Sequence, residues 1–423
     1  MSHDERRRRV VITGMGVIAP NGNDLATFWE SILDGRSAAG PLTRFDASNF
    51  PSRTAAEVRD FDLGKYTDPK KARRFALAIQ YALAAARQAL LDATQNSEVP
   101  DIGDPERVGV IEGTSVSGIE AWLTGLPSFE ERGYRAISPF TLINGYSGAG
   151  AGEIALELGI RGHACTYSSG SASGNDVMGY ALRMIQDDEV DVMVAGGAEA
   201  PILAPLWGAF CRTKVMTTRN ETPATAMRPF DTTRDGFVLG EGAAFLVMEG
   251  LSHALSRGAR IYAEIVGHGR ACEAYHSVAP HPEGVGIVKA MEKSLRDAGM
   301  HRSKVSYINA HGTATPANDL VEVKAIKAHF GRHAQRLAVS STKGVTGHLL
   351  AAAGALETLV TALAIYHQVI PKTTNLTVPD PVWDLDLVPF ESRPYPIDVA
   401  LNLSAGFGGK NSSLVLRRYR SKS

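Results

Sequence analysis

Apolar positions along the chain form short strand-like runs that alternate with longer helix-like stretches. Val10–Ile18 is apolar, rich in β-branched residues and interrupted by glycines, which predicts a buried strand. Residues 24–35 predict a capped helix, and residues 75–93 carry apolar positions at helical spacing. Further apolar runs predict strands at residues 108–112, 191–196 and 243–249. The pattern therefore predicts an α/β protein.

The same pattern restarts midway along the chain. Residues 9–22 are RVVITGMGVIAPNG and residues 260–273 are RIYAEIVGHGRACE, so each begins with a basic residue and a strand-like run that contains Gly-x-Gly. A helical segment follows each (26–33 and 286–298), and each half closes on an apolar strand (243–249 and 412–418). We predict a duplicated α/β unit with one half at 1–257 and the other at 258–423. Two similar halves packed together would place a functional site at their interface.

Composition narrows the class of protein. The 423 residues are 44% hydrophobic and 21% charged, which is enough to bury a large core. The net charge of −1 gives no bulk attraction to nucleic acid or to a membrane, so neither is expected as a partner. The three cysteines have no paired spacing, and no apolar run has the length of a signal peptide or a membrane span. We expect a cytoplasmic protein.

The segment CTYSSGSASGNDVMG (165–179) predicts a bend between a strand and a helix. Residues 162–169 suit a short strand and residues 175–185 carry an apolar helical face. A nucleophile at such a bend would be exposed next to the amides of a helix N-terminus, which stabilise negative charge. Cys165, Ser171 and Ser173 are the candidates. Ser173 also completes Gly-x-Ser-x-Gly, but the His-Gly-Gly segment typical of α/β-hydrolases is absent, and small residues often serve only to pack a helix start.

Three downstream segments add further candidates. VSYINAHGTATPAND (305–319) predicts a strand that ends at His311. VSSTKGVTGHLLAAAGALE (339–357) places Lys343 and His348 just before an Ala/Leu-rich helix. LNLSAGFGGKNSSLVL (401–416) forms a glycine-rich turn around Phe407. A lone histidine at a strand end is usually structural, but two histidines and a lysine on glycine-flanked loops of one half predict a shared site.

These motifs resemble those of the β-ketoacyl-acyl-carrier-protein synthases, and most closely synthase II and the type II polyketide ketosynthases. The similarity covers nearly the whole chain and includes VVITGMGVIAPNG, DVMVAGGAEA, RPFDTTRDGFVLGEGAAFLVME, NAHGTATPAND, STKGVTGHLLAAAGA and GFGGKN. It implies the thiolase fold, with a duplicated five-layered α-β-α-β-α architecture, and usually a homodimer.

The resemblance also implies a role for each candidate. Ser171 stands at the family's nucleophilic cysteine, which leaves Cys165 as a buried small residue in the strand and Ser173 as a helix-start residue. His311 and His348 match the histidine pair that contacts the thioester carbonyl and stabilises the enolate formed when a malonyl group is decarboxylated.

Other positions match supporting groups of the family. Lys343 matches the lysine that orients the histidines, and Glu322 and Asp319 match acidic residues that support the lysine and the loop. Phe407 matches the gate-loop residue whose backbone amide completes the oxyanion hole, and Val116 matches a position that limits acyl-chain length. Lys70, Lys71, Arg73 and Arg74, within the basic segment KKARR, match the region that docks the acidic carrier protein, although a solvated helix face is the commoner origin of such a cluster.

The sequence departs from the family pattern at four positions near this site. Ser171 replaces cysteine, Ala172 and Lys410 replace usual threonines, and Ala405 replaces a gate-loop phenylalanine. A hydroxyl is a weaker acid than a thiol and needs an adjacent general base. Its ester is also less activated than a thioester, so loading and condensation are expected to suffer, whereas decarboxylation needs mainly the histidines.

The resemblance therefore implies an acyltransferase that uses acyl- and malonyl-carrier-protein thioesters in fatty-acid or polyketide biosynthesis, without a cofactor. One alternative is a non-condensing, chain-length-factor-like subunit of a ketosynthase heterodimer, and another is an engineered Cys-to-Ser variant of an ordinary ketosynthase. The retained His311, His348 and Lys343 favour an active site, and several departures around one site favour natural divergence. The segment GMGVIA (14–19) lacks the acidic residue of a dinucleotide site, and no metal-ligand spacing occurs.

Overall fold

The computed structural model describes residues 7–421 except residues 73, 96–101 and 382. Each strand predicted from the sequence is present, with its ends shifted by at most a few residues. The strands are β1 Val10–Ile18, β2 Gly40–Pro41, β3 Thr54–Ala56, β4 Val108–Gly113, β5 Ala164–Tyr167, β6 Val192–Glu199, β7 Leu239–Gly240, β8 Gly242–Gly250, β9 Ala263–Cys272, β10 Tyr307–Asn309, β11 Ala338–Ser340, β12 Val369–Ile370, β13 Arg393–Pro394, β14 Val399–Gly406 and β15 Lys410–Arg417. The α-helices are α1 Leu25–Asp34, α2 Pro69–Ala72, α3 Leu77–Ala93, α4 Ile119–Arg132, α5 Phe140–Gly145, α6 Ala149–Leu158, α7 Ser173–Gln186, α8 Ala204–Thr213, α9 Leu251–Ser256, α10 Val285–Asp297, α11 Pro316–Phe330, α12 Lys343–Thr346 and α13 Ala351–His367.

A ten-stranded sheet carries the duplication. Its order is β11-β10-β14-β15-β9-β1-β8-β6-β4-β5, so five strands of one half follow five of the other. In the first half β8 is antiparallel to β1 and β6, and β6, β4 and β5 are parallel; β15, β9, β14, β10 and β11 repeat these relations. The two halves meet where β1 pairs antiparallel with β9. The duplication predicted from the sequence is therefore confirmed, and the division at 257/258 remains our proposal, supported by the gap between β8 and β9.

Helices sandwich the two halves of the sheet in five layers. Helices α3 and α6 cover the outer face of the first half, and α10, with α11 beside it, covers the outer face of the second. Helices α7 and α13 lie between the halves and contact strands of both. This matches the predicted α-β-α-β-α architecture. None of the helices in the described ranges is long and apolar enough to cross a membrane.

The repeated Gly-x-Gly segments seat the outer helices. A Cβ on Gly14 or Gly16 would come within 2.2 Å of a backbone oxygen of α3, and one on Gly267 or Gly269 within 2.4 Å of a backbone oxygen of α10. Only glycine allows a helix to lie so close to the strand. The counterpart of α10 is therefore α3 and not α1, although α1 is the first helix to follow β1. The glycines of GMGVIA (14–19) therefore serve the packing of α3 on β1.

The two central helices touch backbone to backbone at their first turns. A Cβ on Gly174 in α7 would lie 2.4 Å from the Ala355 nitrogen, and one on Gly354 in α13 would lie 2.6 Å from the Asn175 nitrogen. This close contact brings the segment before α7 next to the segment before α13. Residue 171 from the first half and residue 348 from the second half therefore meet at the centre of the molecule.

Candidate active site

The bend before α7 presents Ser171 and buries its neighbours. Gly170 has a φ of +69°, a conformation that favours glycine. The Ser173 hydroxyl donates to the Gly170 oxygen at 2.6 Å and accepts from the Ser169 amide at 2.9 Å, so it stabilises the bend itself. Cys165 is half-buried in β5, packed against the core, and burial raises the pKa of its thiol. Of the three candidates, all among the described residues, Ser171 alone lines the cavity that His311 and His348 also line, which we call the main cavity.

His348 lies directly opposite Ser171. The Ser171 Oγ and the His348 Nε2 are 3.3 Å apart. The His348 amide donates to the Val238 oxygen at 2.8 Å and its own oxygen accepts from Gly240 at 3.0 Å, which fixes the backbone beside β7. The ring packs edge-to-face against Phe237, with centroids 5.1 Å apart. These contacts hold an imidazole nitrogen within hydrogen-bond reach of the hydroxyl.

His311 and Lys343 complete the polar group. The His311 and His348 rings are 5.4 Å apart between centroids and nearly perpendicular. Lys343 Nζ donates to the His311 oxygen at 2.6 Å, lies 3.4 Å from His311 Nδ1 and pairs with the Glu357 carboxylate. Burial first, and the Lys343 ammonium second, lower the pKa of both histidines well below 6.5. Both imidazoles are therefore neutral at physiological pH.

The acidic residues hold backbone amides around the histidines. Glu322 accepts from the amides of His311 at 2.7 Å and Gly312 at 2.8 Å. Asp319 accepts from the amides of Phe230 at 2.8 Å and Ala314 at 3.1 Å. Both carboxylates therefore hold the loop after β10, and their predicted support of Lys343 stays a prediction.

The carboxylate that pairs with Lys343 belongs to Glu357, which the sequence analysis did not single out. Burial raises the pKa of Glu357 to about 7, and Lys343 opposes that shift. Glu357 is the only acidic residue of α13, and a buried charge on an apolar helix requires a partner of opposite charge. The single acidic residue of this apolar helix was therefore the signal in the sequence for a buried ion pair.

A cavity of about 470 Å³ joins these groups. Ser171, His311 and His348 line it together with Val116 and Phe407. It also reaches Phe210, Lys214, Thr313, Thr315 and Ala405. The residues predicted to act on a thioester therefore surround one space, and the chain-length position lines the same space. No group of three or more His, Cys, Asp or Glu side chains suited to a metal ion occurs in the described part of the chain.

Two known domain models match most of the chain. Residues 7–254 match the family model for the β-ketoacyl synthase N-terminal domain, and residues 262–377 match the model for the C-terminal domain. The chain belongs to the β-ketoacyl synthase family. The 3-oxoacyl-[acyl-carrier-protein] synthase 2 of Coxiella burnetii is 45% identical over 412 residues, which are 97% of this chain and 99% of that protein. The Synechocystis protein of the same name is 42% identical over 98% of this chain and 99% of its own length.

Solved structures of ketosynthases share the fold. The ishigamide ketosynthase/chain length factor matches with a TM-score of 0.90 and 36% identity, over 98% of this chain and 100% of that one. The type II ketosynthase of AntDE:AntF, solved with its acyl-carrier protein and a bound hexaketide, matches with a TM-score of 0.89 and 33% identity over the same shares. The family and the thiolase fold predicted from the sequence are confirmed.

The positions at which the sequence predicts departures from the β-ketoacyl synthase family lie at different depths. Ala172 is buried at the N-cap of α7, and Ala405 lines the main cavity. Lys410 is exposed at the start of β15 and lines a second cavity of about 880 Å³. A Cβ on Gly406 would lie 3.3 Å from the Ser171 nitrogen, so the loop that carries Phe407 packs on the bend. The oxyanion role of the Phe407 amide stays a prediction.

The basic segment is partly engaged within the molecule. Lys71 pairs with Glu157 at 2.6 Å, and the Arg74 guanidinium lies 5.2 Å from the Phe140 ring centre. Lys70 is exposed, and the predicted contribution of Arg73 lies outside the described residues. Sequence reasoning missed Lys214, an exposed cation that lines the main cavity. Carrier-protein docking at the basic segment remains a prediction.

Proposed function

We propose that this β-ketoacyl synthase is a cytoplasmic acyltransferase that decarboxylates malonyl carrier protein with His311 and His348 and carries acyl groups on Ser171. The observation that carries the proposal is the 3.3 Å contact between Ser171 Oγ and His348 Nε2 inside the shared cavity. The relatives' names support acyl-carrier-protein thioesters as the substrates.

The two histidines suit the decarboxylation step. When the bond to the malonyl carboxylate breaks, carbon dioxide leaves and the electron pair passes to the thioester oxygen as an enolate. Neutral imidazoles that donate hydrogen bonds to that oxygen stabilise charge that develops only in the transition state. Lys343 and Glu322 hold His311 in place through hydrogen bonds to its backbone oxygen and its backbone amide. Ser171 takes no part in this step.

Acyl transfer makes a competing demand on His348. Ser171 must give its proton to a base as its oxygen attacks the thioester carbon and the carrier thiol leaves. The nearest base is His348 Nε2, but a nitrogen that accepts this proton cannot at the same time donate to an enolate. Its Nδ1 has no hydrogen-bond partner in the described part of the chain, so no orienting acid strengthens the base. Acylation of Ser171 is therefore expected to be slow.

The direct test is mass spectrometry of the intact protein after incubation with an acyl carrier protein. A mass increase of one acyl group, mapped to Ser171 and absent from Ser171→Ala, is expected. Carbon dioxide release from malonyl carrier protein by the same sample tests the histidine pair. Carbon dioxide release without acylation would reduce the proposal to a decarboxylating subunit. The absence of both activities would overturn the proposal.

Two features favour a role within a larger assembly. Strand β5 ends the sheet, and one of its edges is paired with no described strand. Large apolar side chains on α4, α5 and the following turn are exposed, namely Trp122, Leu126, Phe129, Leu142, Ile143 and Tyr146. We propose that these surfaces contact a second subunit, either another copy or a ketosynthase that this chain would serve as a chain-length-factor-like partner. Light scattering of the isolated protein, followed by the carbon dioxide assay, distinguishes an active homodimer from an inactive single subunit.

A further inference from the structure

A pair of buried carboxyl groups lies behind one wall of the main cavity. Glu112 is near the end of β4 and Glu199 ends β6, and neither side chain is exposed to solvent. The two strands are parallel neighbours, so these ends lie at the same edge of the sheet. The segment that follows β4 includes Ser115 and Val116, and both line the cavity.

One oxygen of Glu199 holds this wall. Its Oε1 accepts from the Ser115 amide, from the Ser115 hydroxyl at 2.6 Å and from the Val116 amide at 3.3 Å. The Thr114 hydroxyl donates to the same oxygen at 3.3 Å. Four donors from three consecutive residues converge on one atom, and they oppose the burial that raises the pKa of Glu199 to about 7. The position of Val116 therefore depends on Glu199.

The remaining three oxygens of the two carboxyl groups lack hydrogen-bond partners among the described residues. The Ala151 amide and the Thr166 hydroxyl lie beside Glu112 without reaching hydrogen-bond geometry. A Cβ on Gly150 would come within 2.2 Å of Glu112 Oε2, so α6 closes the space on that side. Burial first, and the charge of Glu199 second, raise the pKa of Glu112 to about 8. A proton on Glu112 removes the repulsion between the two carboxyl groups.

We propose that Glu199, through its hydrogen bonds to the segment after β4, positions the Ser115–Val116 wall and thereby sets the longest acyl chain that the cavity accepts. The inference rests on the proposed function, because the cavity must receive the acyl group. Glu199 is a positioning residue, since the wall and not the carboxyl group would touch the chain.

Substitutions separate Glu199 from the carboxyl group beside it. Glu199→Ala removes the acceptor, so the wall loses its anchor and longer chains are accepted. Glu112→Gln removes a neighbouring buried carboxyl group that makes no hydrogen bond to the wall, and is expected to retain the wild-type length limit. Val116→Ala is the matched control, because it enlarges the same wall directly.

The experiment measures initial rates of acyl-enzyme formation by intact-protein mass spectrometry with a series of acyl carrier proteins of increasing chain length. It is run on the wild type and on Ser171→Cys, each with and without the substitutions. For chains just beyond the wild-type limit, Glu199→Ala is expected to raise the rate relative to short chains by about tenfold or more, the scale of one methylene in an apolar pocket. Glu199→Gln, which keeps an oxygen acceptor, serves if the alanine variant melts at a much lower temperature, and an intermediate shift is expected.

The outcomes distinguish the two proposals. Absence of acylation at every length in both the wild type and Ser171→Cys overturns the acyl-transfer part of the proposed function. Acylation with an unchanged length limit in Glu199→Ala and Glu199→Gln overturns the positioning role. A relaxed limit in Glu112→Gln, equal to that of Glu199→Ala, overturns the specific role of Glu199 in holding the wall.

Discussion

Residue 171 presents a hydroxyl to a buried, neutral imidazole, and this pairing sets the balance between the two half-reactions. Cysteine at this position would need no strong base, because the pKa of a thiol, about 8.5 when free, is readily lowered beside a helix N-terminus. Ser171→Cys is therefore expected to raise condensation by about tenfold or more, measured as β-ketoacyl product from acyl and malonyl carrier protein. An unchanged rate in a folded variant would indicate that the site does not condense.

His311 carries the second prediction at this scale. His311→Ala removes one donor to the enolate and is expected to slow carbon dioxide release from malonyl carrier protein by roughly 10²–10³. Ser171→Ala is the matched control, since it leaves both imidazoles in place and should release carbon dioxide at a rate close to wild type. Equal release by His311→Ala and wild type would contradict the role given to this histidine.

Glu112 links a single proton to folding stability. An unfolded glutamate has a pKa of about 4.3, and the folded protein raises the pKa of Glu112 to about 8. Between these values the folded state holds a proton that the unfolded state releases, so this residue lowers the free energy of unfolding as pH rises. Glu112→Gln is expected to melt at increasingly higher temperature than wild type from pH 5 to pH 8.5. A constant difference in melting temperature across that range would show that Glu112 does not titrate in this way.

The central helices are the elements that build the site. Their contact at Gly174 leaves no room for a side chain, because backbone atoms of α13 face it. Gly174→Ala is expected to lower the free energy of unfolding by about 1–3 kcal/mol through overpacking, measured by urea denaturation. Gly133→Ala, where nothing lies within 4 Å but φ is positive, separates backbone strain from overpacking. A smaller loss at Gly174 than at Gly133 would argue against the close contact.

Elements with strong local patterns were predictable from the sequence. Strand β1, helix α3 and the bend at residues 170–174 follow from apolar periodicity and glycine placement. The contact of Ser171 with His348 joins residues from different halves, so it followed only from the family resemblance. The partners of Glu357 and Glu199 could not be assigned from the sequence, because packing between distant strands and helices brings Lys343 and the Ser115–Val116 segment to these carboxylates. The small residues of GSASG fit both interpretations, a nucleophile at the bend and a packed helix start, since Ser171 faces the cavity and Gly174 packs against α13.

Docking of a carrier protein is a property of the whole surface. Charge reversal of Arg73 and Arg74 to glutamate is expected to raise the Kd for an acyl carrier protein by about tenfold at low salt, with a smaller effect as salt increases. Individual surface pairs contribute on the order of 0–1 kcal/mol, so the double variant is needed. Arg332→Glu, an exposed cation in the other half, is the control. If Lys214→Glu weakened binding and the double variant did not, the docking surface would lie at the cavity instead.

The central position of β1 has a consequence during synthesis of the chain. All nine residues of β1 are buried, and the strands that pair with it, β8 and β9, begin more than two hundred residues later. At about 5–20 residues per second, a ribosome needs roughly 10 to 45 s to deliver β8 after β1 has emerged. Helix α3 arrives much earlier and covers one face of β1 through the glycine contacts. Both hydrogen-bonding edges of this apolar strand stay unpaired until β8 and β9 emerge, so we expect a chaperone to protect β1 in the nascent protein.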